Sequence, residues 1–226
     1  MRRSIRVTTC VALFALSAFG AASVMAQDPA KVASNLYKVR LNNARVRVLE
    51  VTGKAGQKAP LHKHPGYVVY NLADGSVRFT DAKGVTTDAS LKAGEAMWRD
   101  AESHASEVVS DIHALLFELK GPAGHSHRGS GPDALSADPT HFKVLLDNEH
   151  VRVLEFTAAA GDKSPMHSHP DYITYNFSAS KNSFTYPKGK PVVNTSNAGD
   201  VVWHKAETHA SAIGETGAHV LLVEIK

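Results

Sequence analysis

Apolar and polar positions alternate with a period of two along most of the chain. Val46, Val48 and Glu50 take one parity and Arg47, Leu49 and Val51 the other; Val77 to Thr80 and Ser183 to Tyr186 alternate as well. Successive side chains of a strand leave opposite faces, so this period predicts half-buried strands. Tyr67 to Leu72 and Leu115 to Leu119 are nearly continuous apolar runs, which predict strands covered on both faces. Asp74-Gly75, Lys83-Gly84 and Ala93-Gly94 punctuate the pattern at turn spacing. Only Ala30 to Leu36 has the makings of a helical turn or two. Many short strands with regular turns predict an all-β sandwich or barrel.

The pattern occurs twice. Asn43 to Glu50 (NARVRVLE) returns as Asn148 to Glu155 (NEHVRVLE), an offset of 105 residues. The same offset aligns Pro60 with Pro165, His62 and His64 with His167 and His169, Tyr67 with Tyr172, and Trp98 with Trp203. It also aligns Glu102, His104 and Ser106 with Glu207, His209 and Ser211. After a one-residue slip, His113 to Lys120 matches His219 to Lys226. One register held over so many positions marks a duplicated domain, and the copies are too long for solenoid repeats. The expected organisation is an N-terminal domain over 35–120, an exposed Gly- and Pro-rich linker over 121–140, and a C-terminal domain over 141–226. Copies of this size are expected to pair.

Residues 1–26 stand apart. A basic start with Arg2, Arg3 and Arg6 precedes a short apolar run and the small residues before Gln27. This is the pattern of a secretory signal peptide cleaved near Ala26, and the run is too short and too interrupted to read as a membrane anchor. The expectation is an exported protein, periplasmic or secreted, without stable membrane insertion after cleavage. The formal charge of +3 resides in that peptide: beyond it, 22 basic residues balance 22 acidic ones. Nothing in the charge therefore calls for nucleic acid as a partner. The single cysteine, Cys10, leaves with the peptide, which removes disulfides and thiolate catalysis from the mature chain.

Thirteen histidines remain. His62 and His64 are two apart, so on a strand both leave one face; His104 follows 40 residues later, after the Gly94 turn. His167, His169 and His209 repeat that spacing. Three neutral imidazoles with open positions form a ligand set for a catalytic metal. A buried histidine taken singly is more often a hydrogen-bonded core residue, but matched trios in both copies favour metal. His125 and His127 form another His-x-His in the linker, where a defined site is not expected; His113 and His219 read as structural.

These residues resemble the cupin superfamily. Gly56 followed by His62 and His64 matches its first motif, and Gly94 followed by His104 its second; Gly161, His167, His169, Gly199 and His209 match in the second copy. The resemblance covers nearly all of the mature chain and implies a bicupin, two tandem β-barrels of jelly-roll type. It implies a metal pocket in each, lined by the six histidines, holding a divalent transition metal (Fe, Mn, Ni, Cu or Zn). The chain departs from the family at the usual glutamate after the second histidine. Val68 and Val69 stand there in one copy, Ile173 and Thr174 in the other, or Tyr67 and Tyr172 if the loop is shorter. No carboxylate replaces it except, in copy two, Asp171. A three-histidine site would leave a divalent ion its full charge and favour anionic substrates or hydroxide.

Around the trios, Tyr67 and Tyr172 are expected in the barrel wall, with a lesser role as ligand or proton donor. Glu102 and Glu207 are expected on a solvated loop, with an acid–base role as the sharper alternative. Trp98 and Trp203 are expected in the core, and Arg47 and Arg152 facing solvent or the partner barrel. His204 has Arg99 as its counterpart and falls outside the repeated set. The implied function is a metal-dependent enzyme (dioxygenase-, decarboxylase- or isomerase-like) acting on a small organic substrate. A non-catalytic periplasmic protein that binds a small molecule or metal is the alternative, and a homodimer is open in either case.

Overall fold

The computed structural model describes residues 27–121 and 129–226. The expected signal peptide, Cys10, His125 and His127 lie outside the described residues. Helix α1 (Pro29–Val32) is followed by β1 (Tyr37–Asn42), β2 (Val46–Gly53), β3 (Lys58–His64), β4 (Tyr67–Asn71) and β5 (Gly75–Asp81). Strands β6 (Thr86–Leu91), β7 (Ala96–Arg99), β8 (Glu102–Ser110) and β9 (Ile112–Leu119) complete the first half. The second half repeats this with α2 (Ala134–Ala137), β10 (Phe142–Asp147), β11 (Val151–Ala158), β12 (Lys163–His169), β13 (Tyr172–Asn176) and β14 (Ser180–Thr185). It closes with β15 (Val192–Ser196), β16 (Val201–His204), β17 (Glu207–Ala212) and β18 (Ala218–Ile225). Among the described residues, no helix is long and apolar enough to cross a membrane.

Each half is a β-sandwich of two antiparallel sheets. The first has a five-stranded sheet in the order β1-β2-β9-β4-β7 and a four-stranded sheet β3-β8-β5-β6. The second repeats both orders, as β10-β11-β18-β13-β16 and β12-β17-β14-β15. The all-β expectation holds, and so does the short helix near residue 30. The segment after Gly131 is not uniformly exposed: Ala134 is fully buried in the second half, and Asp133 caps α2.

The two five-stranded sheets present apolar faces to one another. Val46, Val48, Val68, Leu115 and Phe117 share one buried cluster with Val151, Val153, Ile173, Leu221 and Val223. The opposite parity of the same strands fills each half from within: Leu49, Val51, Tyr67 and Leu116 in the first, Leu154, Phe156, Tyr172 and Leu222 in the second. Coverage on both faces accounts for the continuous apolar runs in β4 and β9. Trp98 sits half-buried at the edge of this interface, stacked on His150 of the other half at 4.4 Å between ring centroids.

Candidate metal centres

His62 and His64 lie at the end of β3 and His104 on β8, and His62 and His104 are direct cross-strand neighbours. A plain strand would put Ala59 and His62 on opposite faces. The register shifts between them, and the irregularity turns Ala59, His62 and His64 all inward. Pro60 sits in the irregular stretch, where its lack of an N–H does no harm, and its carbonyl accepts the Nδ1–H of His62 at 2.7 Å. Pro165 does the same for His167 at 2.7 Å, again beside a register shift.

All six histidines are buried, and within each trio the ligand atoms lie within 4.8 Å of one another. Five of the six Nδ1 atoms have fixed partners; His104 Nδ1 has none and lies 3.6 Å from Glu102. His64 Nδ1 donates to Glu118 at 2.7 Å and His169 Nδ1 to Glu224 at 2.8 Å; His209 Nδ1 lies 3.2 Å from Glu207. Because carbonyls and carboxylates only accept, these contacts place the proton on Nδ1 and leave Nε2 as a lone pair aimed into the trio. The Nε2 atoms of His64 and His167 are buried without a hydrogen-bond partner. A buried lone pair left unpaired is unfavourable, and a divalent transition metal fits this all-imidazole donor set.

Burial lowers the pKa of His62 and of His167 to about 4, against the pull of the Pro60 and Pro165 carbonyls. Both rings therefore stay in the neutral form that ligates. The sign for stability follows. Between pH 6.5 and 4 the unfolded chain takes up protons at these positions and the folded chain does not. Metal-free protein is thus expected to lose stability as the pH falls through that window, by about 1 kcal/mol per histidine at pH 5 after discounting for solvent. Thermal melts of chelator-treated protein at pH 7, 6 and 5 measure it; a flat midpoint would contradict the burial.

No carboxylate joins either trio, but a glutamate stands behind one histidine of each. Glu118 on β9 and Glu224 on β18 are each 1% exposed and hold His64 and His169 from behind. Each is in turn held by an arginine. Arg47 bonds Glu118 and Asp28, and Arg152 bonds Glu224 and Asp133. Burial pushes the Glu118 carboxyl up, but the hydrogen bonds from His64 and Arg47 outweigh it and hold it below its ordinary value. Arg47 and Arg152 thus point inward, contrary to the expectation of solvent or the partner barrel. Their parity is that of buried Leu49 and Leu154, and a buried carboxylate awaits them. Asp171 instead accepts the backbone N–H of Ala206 at 2.9 Å and stands outside the trio.

Glu102 and Glu207 are not on solvated loops; they begin β8 and β17. Tyr67 donates to Glu102 at 2.7 Å and Tyr172 to Glu207 at 2.6 Å. Both tyrosines are buried, with rings 4.9 and 4.8 Å from His64 and His169. Burial raises Glu102, but the nearby His104 ring and the hydrogen bonds from Arg99 and Tyr67 more than reverse that, so it stays ionised. The ligand set itself stays three imidazoles without a carboxylate in each half; of the four nearby carboxylates, Glu118, Glu224 and Glu102 are paired with Arg47, Arg152 and Arg99.

The copies differ around the trios. Tyr37 reaches His62 Nε2 with its hydroxyl at 3.2 Å, and its own pKa is raised by burial to about 12; Phe142 holds the equivalent place without a hydroxyl. Arg99 pairs with Glu102, whereas its counterpart His204 stacks on Tyr172 at 4.5 Å and meets Thr174 at 3.1 Å. A cavity of about 360 Å³ opens beside the second trio, lined among others by His167, His169, His209, Glu207 and His204. Sequence reasoning passed over Glu118, Glu224, Tyr37 and Phe142. The two glutamates carried a visible signal, since both interrupt otherwise apolar runs at matching positions.

No family model matches the chain, and no curated protein matches it. Solved structures do. AerE from Microcystis aeruginosa aligns with a TM-score of 0.56 at 12% identity, over 84% of this chain and 97% of that one. A variant of oxalate decarboxylase from Bacillus subtilis aligns with a TM-score of 0.58 at 14% identity, over 85% and 76%. HEPD from Streptomyces albus, with 2-hydroxyethylphosphonate and Fe(II) bound, aligns with a TM-score of 0.58 at 9% identity, over 86% and 74%.

Proposed function

From a chain folded as two tandem cupin barrels, we propose a metal-dependent enzyme that holds a divalent transition metal in each histidine trio and acts on a small organic substrate. The observation that carries this is the set of six buried imidazoles in two trios, with Nε2 of His64 and of His167 unpartnered. Similar folds hold such ions: one solved structure contains Fe(II), and another concerns the Mn(II) centres of oxalate decarboxylase. Bound there, the ion would supply Lewis-acid chemistry. The protein's own residues do the rest. Glu118 and Glu224 fix the His64 and His169 rings through Nδ1–H, which sets both tautomer and direction. Tyr172 and Glu207 form a donor and acceptor pair at the cavity wall. Glu207 is placed to take a proton from a bound molecule, with Tyr172 stabilising the carboxylate by its hydrogen bond. Tyr67 and Glu102 form the same pair in the first barrel, where Arg99 locks the carboxylate. The pattern of residues 1–26 supports export as the setting for this activity.

Metal analysis tests the reading. Wild-type protein is expected to carry close to two equivalents, and His62→Ala or His167→Ala close to one each. Purified protein without metal, and without thermal stabilisation by Fe²⁺, Mn²⁺, Ni²⁺, Cu²⁺ or Zn²⁺, would overturn it.

A further inference from the structure

The internal duplication gives a residue-by-residue control on the cavity in the second barrel. Where the first barrel places Val77, Leu91 and Ile112, the second places Asn182, Ser196 and Ala218 at the matching positions. Val77 and Leu91 are buried at 4% and 8% exposure, so the first barrel is filled there by hydrocarbon. In the second barrel, smaller or polar groups leave the cavity, and all three line it. Duplicated cores that diverge by losing volume and gaining polarity at one shared place mark a site rather than a packing variation.

The chemistry of the lining defines what enters. Asn176, Ser180, Asn182 and Ser211 supply neutral hydrogen-bonding groups. Phe142, Phe156, Phe184 and Tyr186 supply flat apolar surface. Among the described residues, no lysine or arginine lines the cavity. The one cation at the equivalent place in the first barrel, Arg99, is His204 here, and burial lowers the pKa of His204, which keeps it neutral. Glu207 consequently faces the cavity without an arginine partner, while Glu224 behind His169 is neutralised by Arg152. Beyond a metal at the histidines themselves, a carboxylate, phosphate or phosphonate group would find no cationic side chain in the described lining to hold it.

We propose that the second barrel alone takes the organic ligand. That ligand is an uncharged molecule with a ring-sized apolar face and at least one hydroxyl or amide group. Tyr37, hydrogen-bonded to His62 Nε2, and the hydrocarbon filling keep such a molecule out of the first barrel. The position beside the histidines rests on the metal reading above; the preference for an uncharged ligand rests on the lining.

Benzamide, benzyl alcohol and benzoate are matched probes, alike in size and differing in charge. Each is titrated by ligand-observed NMR into the full chain, with and without Mn²⁺. Benzamide and benzyl alcohol are expected to bind saturably and at least tenfold tighter than benzoate. Ala218→Ile, which restores the bulk of the first barrel, should weaken benzamide tenfold or more. His204→Arg, which restores the cation that the first barrel carries at this position, should shift the preference toward benzoate. With Mn²⁺, paramagnetic broadening of benzamide should persist in His62→Ala and vanish in His167→Ala. Equal or tighter benzoate binding, no binding of either neutral probe, or broadening that follows His62 instead would each overturn the proposal. Neutral-probe preference in protein that binds none of Fe²⁺, Mn²⁺, Ni²⁺, Cu²⁺ and Zn²⁺ would uphold the ligand class and overturn the metal reading, so the two fail separately.

Discussion

Arg47→Met is expected to destabilise the metal-free protein by about 3–5 kcal/mol, lowering the melting midpoint by roughly 6–20 °C for a chain of this size. Methionine keeps most of the aliphatic volume and removes the charge. Glu118, 1% exposed, then keeps only its hydrogen bond with His64, and Asp28 loses the partner that ties the N-terminal segment to β2. A carboxylate buried without its cation is worse than no pair at all, so most of the loss comes from what is left behind. Arg152→Met should act alike through Glu224 and Asp133. Arg78→Met is the control: Arg78 pairs with Asp88 in full contact with solvent, and its loss should leave the midpoint essentially unchanged. Thermal and urea melts of the three variants decide it. Equal shifts for Arg47→Met and Arg78→Met would show that the buried charge network is not a structural element of the barrel.

That network also shows where sequence reading stops. Strand identity, the duplication and the histidine trios were all legible, because each is a periodicity or a spacing within one strand or between copies. The inward course of Arg47 was not. An arginine between valines reads as the outer face of an alternating strand, and here both faces of β2 are covered, one by the barrel interior and one by the other half. The alternation therefore separates two interiors. Which of them a charge enters depends on the carboxylate opposite, and Arg47 and Glu118 meet only through the pairing of β2 with β9. Tyr37 posed a related problem. Its relation to Phe142 is visible by offset, yet the contact of its hydroxyl with His62 joins strands of the two different sheets of the sandwich, which no local pattern encodes. The equivalence of Asp28 and Asp133, by contrast, extends the same offset of 105 and could have been read.

Phe117→Ala is expected to cost about 3–5 kcal/mol and to weaken both halves together. Phe117 is fully buried on the face of β9 that meets the second half, within a cluster to which both halves contribute. Removing the ring leaves a cavity between two sheets that are each held by neighbours on their far side, so neither can close the gap freely. Each half alone would expose the apolar face that carries Val48 and Val68, or Ile173 and Val223, an arrangement that costs too much in water for a small domain to melt independently. The unfolding of wild type and variant should accordingly remain a single transition. Trp98 lies in the first half and Trp203 in the second, so Trp203→Phe and Trp98→Phe backgrounds report the halves one at a time. Coincident urea curves in both backgrounds, displaced together by Phe117→Ala, are the expected result. Two separated curves would mean that the barrels are independent units and that the shared cluster contributes little to either.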